Sequence, residues 1–307
     1  MTPYLTIGTR GSPLALAQTH MVAAALRRAH GWSEDALAIV PIRTSGDRIQ
    51  DRPLAELGGK ALWTKELDAA MRDGRIDIAV HSMKDVETVR PPELAIVAML
   101  PREDVRDRLV GAPRIADLPR GARVGTSSPR RAAQLLALRP DLRISSIRGN
   151  VATRLGKLAD GEFDATLLAA AGLKRLGQGD VGSPIEIDEM LPAPAQGAVG
   201  IEARSDDSRA RGWLAAISDP VTYAAVMAER ALLAALGGTC HSPIAALAEV
   251  NGDAISIRGE ILLSDGSERV ADQLSASVEN AADAAVTLAE RLLGRASPKL
   301  CALFGQS

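Results

Sequence analysis

Four stretches of the sequence combine residue types that can do chemistry. In Gly237-Gly238-Thr239-Cys240-His241-Ser242-Pro243 a cysteine stands in a glycine-rich turn ahead of a strand. A thiol there is open to reaction; the plainer reading is a small buried hydrophobe. Cys240 and His241 are adjacent, Cys301 is remote and the chain has only four histidines, which suits neither a zinc site nor a Cys–His nucleophile pair. His81-Ser82-Met83-Lys84-Asp85 follows a strand read over Ile76–Val80. Ligands of open α/β sheets gather beyond the carboxyl ends of strands, so Asp85 is placed to face a cleft. A carboxylate there stabilises a developing cation or relays a proton, the alternative being a turn aspartate paired with Lys84.

The third pattern recurs. Thr126-Ser127-Ser128-Pro129-Arg130-Arg131 reads as a strand end, a capping hydroxyl and a helix opening on paired arginines. Ser145-Ser146-Ile147-Arg148-Gly149-Asn150 with Arg154, and Thr9-Arg10-Gly11-Ser12-Pro13, repeat it. Helix N-termini favour anions, and arginine binds carboxylate or phosphate with two parallel hydrogen bonds. One such turn is ordinary capping beside a surface arginine; three point to an anion-binding cleft. The fourth stretch, Thr44–Lys60, is polar, with Asp47, Arg48 and Gly58-Gly59-Lys60. Ala61 follows Lys60, so no phosphate loop is present. It reads as a loop, either covering the cleft or simply solvated.

The elements that must position these residues alternate. Tyr4–Gly8, Leu37–Ile42, Ile76–Val80, Leu94–Leu100, Arg123–Thr126, Leu142–Ile147, Ala165–Ala169 and Ala198–Ala203 read as strands. Helices are expected from Ser12-Pro13 to His30, with Leu14, Ala17, Met21, Ala24 and Ala25 as the apolar face, over Leu62–Arg72, from Asn150 to Ala159 and over Asp206–Ile217. Alternation of this kind implies two doubly wound α/β units. After a helix from Val221 to Ala235 the style changes: Ile244–Val250, Ala254–Leu263 and Arg269–Val278 read as an antiparallel sheet joined by tight turns, closed by a helix over Ala281–Leu293.

Composition narrows the class. The 307 residues suffice for two or three domains. The apolar fraction is 46% and the charged fraction 24%, as in ordinary globular proteins. Aromatics are only 2%, against a base-stacking platform. No apolar run approaches the roughly 20 residues of a membrane span, no signal peptide is evident at Met1-Thr2-Pro3-Tyr4, and two cysteines make no disulfide framework, which together read as a cytoplasmic protein. The net charge of −2 is uneven: residues 120–175 hold nine Arg and two Lys against four acidic residues, whereas residues 249–290 hold nine acidic residues against two Arg. A polyanion-facing middle and an acidic C-terminal part follow. A non-catalytic anion-binding protein leaves Cys240 without a role, and a nucleic-acid binder does not fit the few aromatics or the negative net charge.

These motifs, together with Gly125 to Arg131, Arg148 to Arg154, Ala171-Gly172-Leu173-Lys174-Arg175-Leu176 and Gln196-Gly197-Ala198-Val199-Gly200, resemble the signatures of the porphobilinogen deaminase family, in order from about residue 5 to 300. The resemblance implies two doubly wound domains like those of periplasmic binding proteins, formed by residues 1–99 with 200–217 and by 100–199, and a small α+β domain, 218–307, with a three-stranded antiparallel sheet. It implies one dipyrromethane cofactor, tethered through a thioether to Cys240, and catalysis by Asp85. It implies that Lys84, Thr126, Ser128, Arg130, Arg131, Arg148, Arg154 and Gln196 hold that cofactor, that Arg10, Ser12, Arg175 and Lys60 hold substrate, and that no metal takes part. The activity implied is condensation of four porphobilinogen molecules into the linear tetrapyrrole hydroxymethylbilane, by a cytoplasmic monomer with no nucleic-acid or membrane partner. The chain departs from the family pattern at Trp63, Glu87, Pro129 and Thr239, where Phe, Pro, Leu and Gly are common.

Overall fold

The computed structural model describes residues 4–44, 64–239 and 241–304. Cys240, Lys60 and Trp63, and with them the loop read over Thr44–Lys60 beyond its first residue, lie outside the described residues.

The chain runs β1 (Leu5–Arg10), a helix Pro13–His30, β2 (Leu37–Ile42), a helix Lys65–Arg72, β3 (Ile78–Ser82) and β4 (Leu94–Met99). It continues through β5 (Asp107–Val110), β6 (Arg123–Gly125), a helix Pro129–Leu138, β7 (Arg143–Ser145), a helix Val151–Ala159, β8 (Ala165–Ala169), a helix Ala170–Arg175 and β9 (Ser183–Pro184). Then come β10 (Val199–Arg204), helices Ser208–Ala215 and Pro220–Ala235, the strands β11 (Ile244–Asn251), β12 (Ala254–Leu262) and β13 (Arg269–Ser277), and helices Ala281–Arg295 and Pro298–Cys301. Contacts divide the chain into two compact units, Met1–Glu103 with Gly197–Tyr223, and Asp104–Gln196 with Ala224–Ser307.

The first unit is a five-stranded sheet in the order β2-β1-β3-β10-β4. β1 is parallel to β2 and β3, and β10 is antiparallel to β3 and β4. Apolar side chains alternate across it. Ile78, Val80 and Ile201 face one core with Val22, Leu26 and Leu214, while Ala79 faces another with Leu67, Met71 and Ile76. Helices therefore cover both faces of this mixed sheet, whose parallel strands β1 and β3 are buried on both sides.

Two expectations need correction here. The third strand starts at Ile78 and runs through His81 to Ser82, so His81 is a ladder residue opposite Gly200. The buried face of the helix Pro13–His30 is Ala15, Gln18, Thr19, Val22, Ala23 and Leu26, whereas Met21 and Ala24 are exposed. An alanine-rich helix gives little contrast between faces, and two polar residues sit inward because their groups are satisfied. Gln18 bonds Ser82 (2.9 Å), and the Thr19 hydroxyl donates to the Ala15 carbonyl (2.9 Å).

In the second unit β7-β6-β8-β5-β9 repeats the same order. β6 is parallel to β7 and β8, and β5 is antiparallel to β8 and β9. Its core holds Leu109, Val124, Leu135, Leu167 and Met190. The same unit carries the three-stranded antiparallel sheet β11-β12-β13, whose core joins Ile244, Ile257 and Ile261 to Leu232, Leu288 and Leu292 of the helices packed on it. The architecture is thus two α/β sheets of five strands and a small antiparallel sheet, the class that the alternation implied. β5, β9 and the helix Ala170–Arg175 were not anticipated. They are short, and the charged residues Asp107 and Arg108 open β5.

Candidate functional site

In the first unit the carboxyl ends of β1 and β3 open on one edge, because these strands are parallel neighbours pairing Ile7 with Ile78 and Gly8 with Ala79. Arg10 ends β1, and Ser12 caps the following helix, its hydroxyl accepting from the Ala15 N–H (3.3 Å) with Pro13 at the first helical position. β3 ends in a single 3-10 turn, Met83–Asp85, which carries Lys84 and Asp85, both half-buried. A small, partly open cavity of about 60 Å³ lies at this edge, lined among others by Arg10, Ser12, Gln18, His81, Ser82 and Asp85. Arg10, Ser12 and Asp85 thus line one cavity. Gln18 and His81 had not been assigned to the site.

Behind the cavity stands a buried charge cluster. Glu202 of β10 is fully buried. One of its oxygens receives His81 Nε2 (3.1 Å), and its two oxygens receive Arg90 Nε (2.7 Å) and Nη2 (3.0 Å). Arg90 also bonds Asp68 (2.6 Å) and Glu87 (2.8 Å), and Glu87 accepts from the Thr64 hydroxyl (2.8 Å). Burial would raise the Glu202 carboxyl, but the hydrogen bonds and charges of His81 and Arg90 more than offset it and hold it at about 2. Burial shifts the Asp68 carboxyl upward from its ordinary value despite Arg90. The departure from the family pattern at Glu87 therefore has a partner, Arg90. Pro129 stands at a first helical position, where its fixed φ is suited, and the Thr239 hydroxyl accepts from the His241 N–H (3.1 Å).

In the second unit the carboxyl ends of β7, β6 and β8 again open side by side. Ser128 caps the helix Pro129–Leu138, its hydroxyl accepting from the Arg131 N–H, and the buried Thr126 hydroxyl accepts from the Ser128 N–H (3.2 Å). Asn150 caps the helix after β7, accepting from the Thr153 N–H (2.9 Å), and Arg154 Nε donates to the Gly149 carbonyl (3.0 Å). Arg148, Arg154 and Arg175 are half-buried at this end of the sheet.

Arg130 and Arg131 are nearly fully buried, which the sequence did not suggest. Both grip Asp107, the first residue of β5, at 2.8 and 2.7 Å. Gln196 Nε2 donates to the same carboxylate (2.8 Å) and to the Val105 carbonyl (2.7 Å). Burial would raise Asp107, yet Arg130 and Arg131 hold it well below the carboxylate range; burial also draws Arg130 below its ordinary value. Two guanidinium groups share one carboxylate, which leaves a net positive charge at the strand ends, and Arg130 Nε and Arg131 Nε are buried with no hydrogen-bond partner among the described residues. The donor set is therefore that of a carboxylate-binding site, and it fits a ligand bearing acetate and propionate groups. Among the described residues no cluster of three or more His, Cys, Asp or Glu could hold a metal, and no helix is long and apolar enough to cross a membrane.

Two α/β sheets of one strand order, with arginines and capped helix N-termini at the carboxyl ends of their parallel strands, define a class of ligand-binding α/β proteins with anion sites. The chain belongs to the porphobilinogen deaminase family. Residues 5–212 match the family profile described as the dipyrromethane cofactor binding domain of porphobilinogen deaminase, and residues 223–294 match its C-terminal domain. A porphobilinogen deaminase of Sphingopyxis alaskensis is 56% identical over 98% of this chain and 96% of the relative. One of Paracoccus denitrificans is 54% identical over 95% of this chain and 94% of the relative. Among solved structures, a TRAP periplasmic solute binding protein from Desulfovibrio salexigens is similar with a TM-score of 0.41 and 11% identity over 71% of this chain and 72% of its own.

Proposed function

We propose that the chain is a hydroxymethylbilane synthase, which deaminates porphobilinogen and joins four molecules head to tail on a dipyrromethane primer. The observation that carries this reading is the cavity of the first unit, where Arg10 and Ser12 stand with Asp85. A pyrrole bearing two carboxylates, about to lose ammonia and become a cation, needs both a carboxylate receptor and a carboxylate near its ring.

Arg10 binds a substrate acetate or propionate, helped by the N-terminus of the helix Pro13–His30. Arg175 and Lys60 take further substrate carboxylates. Asp85 faces the pyrrole N–H and stabilises the positive charge that appears as ammonia leaves. Lys84, Thr126, Ser128, Arg130, Arg131, Arg148, Arg154 and Gln196 hold the dipyrromethane, and Cys240 tethers it. When bound, that group supplies the free pyrrole α-carbon from which the chain grows. The +7 balance of residues 120–175 suits a product that gains two carboxylates with every pyrrole. The chain functions as a cytoplasmic monomer of three domains, 1–99 with 200–217, 100–199 and 218–307, without a metal.

Intact mass spectrometry tests the primer. The expected mass exceeds that of the polypeptide by two pyrrole units, and the excess disappears in Cys240→Ser. A bare polypeptide mass together with failure to consume porphobilinogen rejects the reading. Asp85→Ala is expected to retain the excess mass and lose turnover by at least about 10²-fold; near-normal turnover rejects the role given to Asp85.

A further inference from the structure

We propose that His81 is the receptor for the aminomethyl ammonium group of porphobilinogen, its Nδ1 accepting a hydrogen bond from that group inside the Asp85 cavity, with Glu202 and Arg90 as positioning residues. The proposal rests on the function proposed above and extends it to the one substrate group that arginines cannot bind.

Geometry supplies the argument. His81 and Glu202 project from neighbouring antiparallel strands. His81 stands opposite Gly200 and Ala79 opposite Glu202, so the two side chains are diagonal neighbours on one face. Glu202 is clamped through both oxygens by Arg90, which keeps it a carboxylate and an acceptor. The proton in the bond between His81 and Glu202 therefore belongs to the imidazole, on Nε2. With Nε2 committed as donor, the ring in its neutral form presents Nδ1 as an acceptor. His81 makes no other side-chain hydrogen bond among the described residues, and it lines the cavity.

Charge points the same way. Behind His81 a single guanidinium, Arg90, faces the three carboxylates of Asp68, Glu87 and Glu202. Among the described residues this wall is net negative even if Asp68, which burial shifts upward, is counted as neutral. Among the described residues the charged groups lining the cavity are Arg10 and Asp85. Arg10 can be occupied by a substrate carboxylate, which leaves Asp85 and the wall to favour a cation between them. A hydrogen bond from Nε2 to an ionised carboxylate also makes Nδ1 a stronger acceptor. The ammonium and the pyrrole cation that replaces it after C–N cleavage occupy neighbouring positions in this same negative field.

The test uses the cofactor-loaded protein. His81→Gln is expected to raise KM for porphobilinogen about ten- to hundredfold, the equivalent of one lost hydrogen bond to a charged group. The affinity for a competitive inhibitor carrying methyl in place of aminomethyl should not change. Glu202→Gln keeps the shape but lets the imidazole turn to its other tautomer; it should raise KM for porphobilinogen in the same direction with less change in kcat, and it carries the test if His81→Gln does not fold. Unchanged KM in a folded His81→Gln overturns the proposal, as does an equal loss of affinity for porphobilinogen and for the methyl inhibitor. A wild-type protein without turnover would instead overturn the proposed function, and intact mass reports cofactor loading separately in every variant.

Discussion

Asp107 shows how a residue without a motif can decide what a motif does. The run Ser128-Pro129-Arg130-Arg131 is legible as an anion site because capping and arginine chemistry are local. That both guanidinium groups are buried around one carboxylate is not legible, since Asp107 lies outside the motif and reads as a polar loop residue. Removing one partner of a buried ion pair leaves uncompensated charge. Asp107→Asn should therefore destabilise the protein by about 3–5 kcal/mol in urea unfolding. The pH dependence follows the same groups. Asp107 and Glu202 bind protons less readily in the folded chain than in the unfolded one. The stability they contribute is complete above the ordinary carboxylate range, near pH 4, and is lost as pH falls through their folded values, about 2 for Glu202. Asp68, shifted upward, works in the opposite direction and takes up its proton first. Unfolding free energy should thus hold between pH 7 and 5 and fall steeply below about 4. Glu202→Gln should flatten the fall, and an unchanged slope in that variant would contradict the charge assignment.

Elements place these side chains through close approaches that leave a weak trace in sequence. Asp85 rides on the 3-10 turn Met83–Asp85, and Met83 is buried against Gly200 of β10. A Cβ at Gly200 would collide with the Met83 Sδ and Cγ. Gly200→Ala is expected to cost about 1–3 kcal/mol and to lower kcat more than it raises KM, because it displaces the turn under Asp85; steady-state kinetics with a thermal melt checks both. Gln196-Gly197-Ala198-Val199-Gly200 is visible as a family motif, but only the register of β10 against β3 gives a reason for its last glycine. The same strand pair explains why His81 escaped notice, since its partner Glu202 is 121 residues away. Helix starts were the most legible elements: Ser12, Ser128 and Asn150 all cap as their residue types suggest. The alanine-rich face of Pro13–His30 was not, for want of contrast between its sides.

At the scale of the molecule, the two five-stranded sheets share one strand order. In each, an antiparallel strand lies fourth, and in each it carries a buried carboxylate at the site, Glu202 on β10 and Asp107 on β5. Topology can recur in this way because a sheet constrains apolar alternation and strand direction, not residue identity. The antiparallel C-terminal sheet has its own apolar core, yet it belongs with Asp104–Gln196 in one compact unit. Specific polar and backbone contacts explain the union. Gln134 donates to the buried Glu260 (3.1 Å), and Glu229 accepts from the Ala195 and Ala248 N–H groups (2.5 and 2.8 Å). Gly266, at φ 73° in the turn before β13, lies so close to the helix Pro129–Leu138 that a Cβ would strike its backbone at Leu136 and Ala137. If these contacts couple the two cores, the slowest amides of β11–β13 and of the helix Pro129–Leu138 should exchange through one common opening, with the same free energy. Gly266→Ala places an L side chain in the left-handed region and against that helix, so it should destabilise the unit by at least about 2 kcal/mol. Hydrogen exchange should then show β11–β13 and the helix opening with separate free energies. Separate openings already present in the wild type would mean that each core is stable by itself and that the turn at Gly266 rests against the helix without coupling them.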